Sequence, residues 1–309
     1  MPLISVVTPC FNEEENIDEI YRYVKELFLK LPKYSYEHIF IDNSSTDKTV
    51  KILKQIALQD HNIKIIVNTR NFGHIRSPYY ALLQAKGAAV VSLAADFQDP
   101  PAMIIDFIKK WEEGFPIVIG VKKQSQESRL MFAVRKLYYN IIARLSEIEQ
   151  IPNFTGFGLY DQRVISTLRQ INDPYPYFRG LICDLGFSIA KVEYLQPVRL
   201  RGITKNSFYT LFDMAMLGIT NHSKVPLRLA TMLGFLVAAV SFFVALVYFI
   251  YKIINWNGFD VGLAPLVIGL FFFSAVQLFF IGIIGEYIGS IHTQVQKRPL
   301  VIEKERINF

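Results

Sequence analysis

The sequence predicts an α/β protein: a mostly parallel sheet flanked by helices, followed by a hairpin of two membrane-crossing helices. Three observations carry this. Short β-branched runs alternate with segments of helical apolar spacing through the first half. The turns that follow those runs gather acids and amides. Near the C-terminus lie two long runs without a charged residue. Strand–helix alternation builds a parallel sheet with helices on both faces. Ligands of such sheets sit at the carboxyl ends of the strands.

The elements follow in order. Leu3 to Val7 is a short β-branched strand. Ile17, Ile20, Tyr21, Val24, Leu27, Phe28 and Leu31 then repeat at helix spacing, and Asn12 with Glu15 reads as the capping box of that helix. A strand at His38 to Ile41, a helix near Thr46 to Leu58 and a strand at Ile63 to Val67 come next. They are followed by a helix near Pro78 to Lys86, a strand at Ala88 to Ala94, a helix over Pro101 to Glu113 and a strand at Pro116 to Val121. The strand-end turns are Thr8 to Asn12, Asp42 to Asp47, Asn68 to Gly73 and Asp96 to Asp99. No internal repeat or low-complexity tract interrupts the chain.

Residues 129–148 put Leu130, Val134, Leu137, Tyr138, Ile141 and Leu145 on one helical face, flanked by Arg129, Arg135, Lys136 and Arg144. That pattern suits a helix lying in the membrane interface, and equally an amphipathic helix packed on the sheet. A second interfacial candidate spans about 206–222. Residues 229–251 and 261–285 are free of charge, and at about 1.5 Å per residue each exceeds the roughly 30 Å hydrocarbon core. The linker is short, so the two spans form an antiparallel hairpin. Lys224 and Arg228 precede it and Lys297, Arg298, Lys304 and Arg306 follow it, against Lys252 alone in the linker. The positive-inside rule puts both termini in the cytoplasm. The expected organisation is a catalytic domain at 1–225, the hairpin at 226–290 and a cytoplasmic tail at 291–309.

The net charge of +6 across 309 residues suits anionic lipid or a phosphate ligand. No basic stretch interleaves with aromatics in a nucleic-acid module, so nucleic acid is not an expected partner. Cys10 and Cys183, the only cysteines, lack metal spacing and read as reduced structural thiols. The N-terminal apolar run is too short for a signal peptide, and Glu13-Glu14-Glu15 follows it.

The turn residues carry the chemistry. Asp47 and Asp99 each read as helix N-caps, Asp99 with Pro100-Pro101 behind it. Asp42 either caps the next helix or faces a ligand. Asp96 closes an apolar run, and an acid at a buried strand end needs a partner: a cation or a hydrogen-bonding nest.

The ordered series Val6-Val7-Thr8-Pro9-Cys10-Phe11-Asn12-Glu13-Glu14, Ile41-Asp42-Asn43-Ser44-Ser45-Thr46-Asp47, Arg70-Asn71-Phe72-Gly73 and Asp96-Phe97-Gln98-Asp99-Pro100-Pro101 resembles family 2 glycosyltransferases, in the polyisoprenyl-phosphate branch. The resemblance continues through Gly202-Ile203-Thr204-Lys205, Pro226-Leu227-Arg228 and Gly285-Glu286-Tyr287-Ile288-Gly289 to Arg298-Pro299. It implies a GT-A fold that binds a nucleotide sugar, UDP- or GDP-linked, with Mg²⁺ or Mn²⁺. Pro9, Phe11, Asn12 and Glu13 would line the nucleotide, and Asp42 would face base or ribose, with Asn71 in the same binding set. Asp96 and Gln98 match the metal and diphosphate positions. Arg199 and Lys205 match basic residues near phosphates, and with Asp96 form the expected catalytic set.

The implied activity is inverting transfer of a single hexose, UDP-glucose favoured as donor, to a polyprenyl phosphate on the cytoplasmic side of the plasma (inner) membrane. A homo-oligomer stays open. Two departures stand out. The family usually has Asp-x-Asp where this chain has Ala94-Ala95-Asp96, and Gly156 and Gly158 stand where it often has an acid and a basic residue. They keep a second reading in view, a catalytically degenerate nucleotide-binding membrane protein. A processive polysaccharide synthase would carry more spans and a Gln-x-x-Arg-Trp motif, which neither Trp111 nor Trp256 supplies.

Overall fold

The structure is a computed structural model that describes residues 1–123, 151–197, 216–220, 223–255 and 263–309. Its sheet combines β1 (Leu3–Cys10), β2 (Ser35–Asp42), β3 (Ile63–Asn68), β4 (Ala89–Ser92), β5 (Ile117–Lys122), β6 (Phe154–Asp161), β7 (Ile189–Tyr194) and β8 (Glu303–Ile307). The strand order is β7-β5-β6-β4-β1-β2-β3-β8. Only β6 and β8 run against the others. From β1 the chain steps outward through β2 to β3, then crosses back to lay β4 on the other side of β1. That reversal is a topological switch point, and it opens a crevice between the β1 and β4 ends.

Helices α1 (Ile17–Leu29), α2 (Thr49–Gln59), α3 (Gly73–Gln84), α4 (Ile104–Glu112), α5 (Gln162–Ile171) and α6 (Phe178–Asp184) cover the sheet. Alternate strand residues point to opposite faces. Ile4, Val6, Phe40 and Ile65 pack with Ile20, Val24, Leu53 and Phe107 on one face. Val7, Ile39, Ile41 and Ile66 pack with Tyr79, Leu82, Val164 and Leu168 on the other. Burial on both faces is why these strands read as continuous apolar runs.

The mostly parallel sheet flanked by helices is as the sequence predicts, and three local expectations are corrected. The capping box does not form: Asn12 has φ 57, its Oδ1 accepts from Thr46 N at 2.8 Å, and α1 starts only after Asn16. Helix α3 begins five residues before Pro78, which lies inside it; Asn71 Oδ1 accepts from Gly73 N at 2.8 Å in the turn that leads into the helix. Asp99 does not cap a helix. Pro101–Met103 form a 3₁₀ turn led by Pro100, without a side-chain cap, and the Asp99 carboxylate turns inward.

Beyond the sheet lie two helices of high mean hydropathy, α7 (Val225–Ile254) and α8 (Leu263–Gln296). Each is long and apolar enough to cross a membrane. Their side chains are exposed all round, Phe235 by 73%. A helix apolar on every side needs an apolar environment. The Tyr287 hydroxyl donates to Ser223 O at 2.7 Å and ties α8 to the start of α7. After α8 the tail returns to the sheet as β8, antiparallel to β3, so residues 303–307 belong to the domain formed by the N-terminal half. The candidate interfacial helix at 129–148 lies outside the described residues. Of the second candidate, residues 216–220 are described and helical.

Candidate active site

The loops after β1, β2 and β3 form one bonded unit. Cys10 and Asp42 are register partners, and Asn43 N donates to Cys10 O at 3.0 Å. The loop after β1 then lies on the loop after β2. Asn12 N donates to Ser45 Oγ at 2.9 Å, Glu13 N to Thr49 Oγ1 at 2.9 Å and Glu14 N to Asp47 Oδ2 at 3.2 Å. In return Thr46 N donates to Asn12 Oδ1, and Lys48 N to Glu14 Oε2 at 2.9 Å. Asp47 is not the N-cap of α2 as expected: Lys48 holds that position without a side-chain cap, and Asp47, one residue ahead of it, accepts from Thr49 N through Oδ1 at 2.9 Å in the turn that leads into the helix.

Asp42 is fully buried and accepts from Ser45 through both carboxylate oxygens. Burial raises its pKa against the opposing bonds from Ser45 and Ser44. Asp47 ends up lower than an ordinary aspartate, because the bonds from Thr49 and Glu14 outweigh its burial. Cys10 is buried and donates to Ile41 O at 3.4 Å. Burial pushes its thiol up, and Asp42, Glu13 and Asp47 push it further, so it is an inert thiol.

Asn43 extends the unit to β3. Its Nδ2 donates to Asn71 Oδ1 at 2.8 Å and to Gly73 O at 3.2 Å, and its Oδ1 accepts from Phe72 N at 2.9 Å and Asn68 Nδ2 at 3.1 Å. Asn43 and Asn68 were not among the predicted site residues. The signal available was their position, each at or just past a strand end.

The loop after β4 lies across the switch point. Leu93 N donates to Val7 O at 2.9 Å and carries the chain past β1. Asp96 is half-buried and its Oδ1 accepts from Gln98 N at 3.2 Å, with Phe97 between them at φ 58. Asp96 and Gln98 therefore share one tight turn. Asp99 Oδ1 accepts from the Tyr194 hydroxyl at 3.0 Å. Its pKa is pushed up to about 6, chiefly by burial and also by Asp96, against the pull of Tyr194, Lys122 and Ala94 N–H. Tyr194, at the end of β7, is a further residue that sequence reasoning missed, because it meets the loop only through the fold.

Among the described residues no group of three His, Cys, Asp or Glu side chains converges to hold a metal. Asp96 with the Gln98 amide supplies at most a partial set of oxygen donors. Such a set suits Mg²⁺ or Mn²⁺ when a substrate diphosphate completes it, since Mg²⁺ is commonly held by one or two carboxylates plus phosphates.

The segment with the two glycine departures is β6. Gly156 sits at φ +104, and a Cβ on Gly158 would lie 2.5 Å from Val118 O. Both positions demand glycine for backbone reasons, Gly156 for its positive φ and Gly158 for its close approach to Val118 O. Asp161 ends β6 as the N-cap of α5, accepting from Arg163 N at 2.9 Å, and Trp111 Nε1 donates to it at 2.8 Å. Arg199 and Lys205 lie outside the described residues, as do Arg129, Arg135 and Arg201.

Comparisons with known proteins identify the family. Residues 5–169 match the glycosyl transferase family 2 model, and residues 225–291 match the GtrB C-terminal hairpin. The SfII prophage-derived bactoprenol glucosyl transferase of Shigella flexneri is 33% identical over 303 residues, 98% of this chain and 97% of the relative. The uncharacterized glycosyltransferase YkcC of Bacillus subtilis is 34% identical over 300 residues, 96% of this chain and 92% of its own. Among solved structures, glucosyl-3-phosphoglycerate synthase from Mycobacterium tuberculosis, in complex with Mn²⁺, UDP and phosphoglyceric acid, is 19% identical. It covers 71% of this chain and 76% of its own, with a TM-score of 0.48. On the family match and the full-length relatives, this chain belongs to glycosyltransferase family 2, is a glycosyltransferase, and carries the GtrB-type C-terminal hairpin.

Proposed function

We propose that this glycosyltransferase moves a single hexose from a nucleotide sugar to a polyprenyl phosphate at the cytoplasmic face of the plasma (inner) membrane, with inversion. One observation carries the reading: the nucleotide-type loops of the sheet and an apolar hairpin stand on one chain whose tail, past the hairpin, rejoins that sheet as β8. The relatives named bactoprenol glucosyl transferase support a polyprenyl-phosphate acceptor and favour glucose, hence UDP-glucose as donor. Both ends of the hairpin lie toward the catalytic sheet, in keeping with the basic residues at 224, 228, 297 and 298 and a cytoplasmic catalytic domain.

In this reading the nucleoside lies over Pro9 and the Phe11–Glu13 loop. Asp42 lies beneath it, toward base or ribose, and Asn71 is at the rim. The diphosphate lies across the switch point toward Asp96 and Gln98, which would hold Mg²⁺ or Mn²⁺. The cation would neutralise charge growing on the departing nucleoside diphosphate. Arg199 and Lys205 would add fixed positive charge near the phosphates.

The acceptor explains the thin acid–base set. A hydroxyl acceptor needs a base to take its proton. A phosphate monoester has its second pKa near ~6 and is largely ionised at neutral pH. It attacks the anomeric carbon opposite the leaving diphosphate, which inverts that centre, and it needs positioning more than deprotonation. The test is incubation of the purified protein with undecaprenyl phosphate, Mg²⁺ and a panel of radiolabelled UDP- and GDP-sugars. Labelled lipid is expected from one donor class. Metal-dependent nucleotide binding without transfer from any donor would favour the degenerate-binder reading instead.

A further inference from the structure

Where the tail leaves α8 and approaches the β3 end, two arginines lie against one ring and a third stands beside the tail residue that one of them holds. The Arg70 guanidinium lies 4.1 Å from the Phe72 ring centroid, and that of Arg76 lies 5.7 Å from it. Arg76, on α3, donates through Nη2 to Pro299 O, which brings Arg298 alongside. Among the described residues none of the three makes an ion pair with a carboxylate. The Arg76 Nε is buried and has no hydrogen-bond partner. Its pKa is lowered first by burial, then by Arg70 and Arg298, with Tyr175 acting the other way. Like charges gathered without a counterion are unfavourable, and a half-buried guanidinium with an idle N–H is more so. An anion with several acceptor oxygens would relieve both costs, and guanidinium forks match phosphate geometry.

We propose that Arg70, Arg76 and Arg298 form a second anion site, for a phosphate group of a soluble ligand, whose occupation fastens the foot of the hairpin to the rim of the catalytic site. The site lies two strands from β1, about 10 Å away at about 4.8 Å per strand, so it is separate from the diphosphate position at the switch point.

Its place on α8 decides between soluble phosphate and lipid headgroups. Glu286 is the first charged residue past the second apolar run, and α8 continues ten residues beyond it to Gln296, about 15 Å of helix. Headgroups extend roughly 5–8 Å past the hydrocarbon core, so the three arginines stand beyond them. This step rests on α8 crossing the membrane, as proposed above.

The coupling is visible in the bonds. Thr69 N donates to Ile302 O at 2.9 Å, and Arg76 holds Pro299. Segment 299–302 therefore bonds to the loop and helix start that flank Asn71, whose side chain reaches Asn43. Filling the site adds Arg298 to that clamp. Phosphate would thereby tighten the tail and the Asn71 loop together.

The test uses full-length protein in nanodiscs of zwitterionic lipid, followed by amide hydrogen exchange at constant ionic strength as inorganic phosphate replaces chloride. Exchange in residues 297–303 and 69–76 should slow about tenfold once phosphate reaches about ten times its dissociation constant. Arg298 is exposed, and Arg298→Gln should abolish the slowing without unfolding the sheet. Unchanged exchange at saturating phosphate, equal slowing in Arg298→Gln, or slowing that requires phosphatidylglycerol in the nanodisc would each overturn the proposal. The readout is binding, so loss of glycosyl transfer, or absence of transfer from every donor, leaves it standing.

Discussion

The two sides of the switch point are built differently. On the β1–β2–β3 side, loops from three strands exchange backbone and side-chain hydrogen bonds in both directions, with Asn43 and Asp47 as hubs. On the β4 side, Asp96 accepts from the turn it starts, and Asp99 anchors that turn to Tyr194. The first side is a preformed bed, whereas the second is a tethered turn, and on the proposed reading its remaining oxygen donors would come from the ligand. On the proposed function this difference would separate recognition from chemistry. A nucleoside has fixed shape and rewards a rigid surface, while the reacting diphosphate changes charge and brings its own oxygens to the cation.

The largest break in this comparison is expected at Asp96. Asp96→Ala should lower transfer by at least about 100-fold, because on the proposed reading Asp96 is the carboxylate that would hold the cation. Its circular dichroism and membrane insertion should match wild type. Near-normal turnover would remove Asp96 from the mechanism.

Next is Asn43→Ala, which strikes the bed. It leaves the buried Phe72 N–H and the Asn68 amide short of an acceptor, at about 1–3 kcal/mol each. The melting temperature should drop and the KM for the nucleotide sugar should rise more than kcat falls. A kcat loss at unchanged KM would place Asn43 with the chemistry instead.

A smaller effect is expected from Tyr194→Phe, about 1.5–3 kcal/mol for a hydrogen bond to a charged group. It frees the Asp99 anchor, so the Mg²⁺ concentration for half-maximal activity should rise while nucleotide affinity, read by UDP displacement, stays put. Equal loss of both would mean that the two sides are not separable.

The smallest is the pH response of Asp47. Its folded pKa is depressed, so the stability it contributes is present above the ordinary aspartate value near ~3.9 and is lost as pH falls through the lower folded value. The advantage of wild type over Asp47→Ala in denaturant unfolding should therefore be full at neutral pH and shrink below about pH 4. A constant difference down to pH 2 would show that the bonds do not depend on the carboxylate's charge.

What the sequence made legible follows the same division. The strands β1 to β5 announce themselves because both faces of the sheet are covered, and the bed was visible as acids and amides at strand ends. The anchors were not. Asp99 stands before two prolines and has the local signature of a helix cap, while its true partner Tyr194 is 95 positions away on a strand that no local pattern marked. Helix α3 starts early, just after Asn71 accepts from Gly73 N, and it carries Pro78 inside it, where a local reading of proline places a start. Strand β8, Glu-Lys-Glu-Arg-Ile, reads as a solvated tail, yet an edge strand needs only its backbone bonds to β3 and modest burial.

The most direct test of the central claim is the mass of the lipid product. Purified protein, undecaprenyl phosphate, UDP-glucose and Mg²⁺ should yield polyprenyl phosphate carrying one hexose in the inverted anomeric configuration, and Asp96→Ala should yield none. Unmodified lipid with every nucleotide sugar, or lipid carrying a chain of several sugars, would contradict the account.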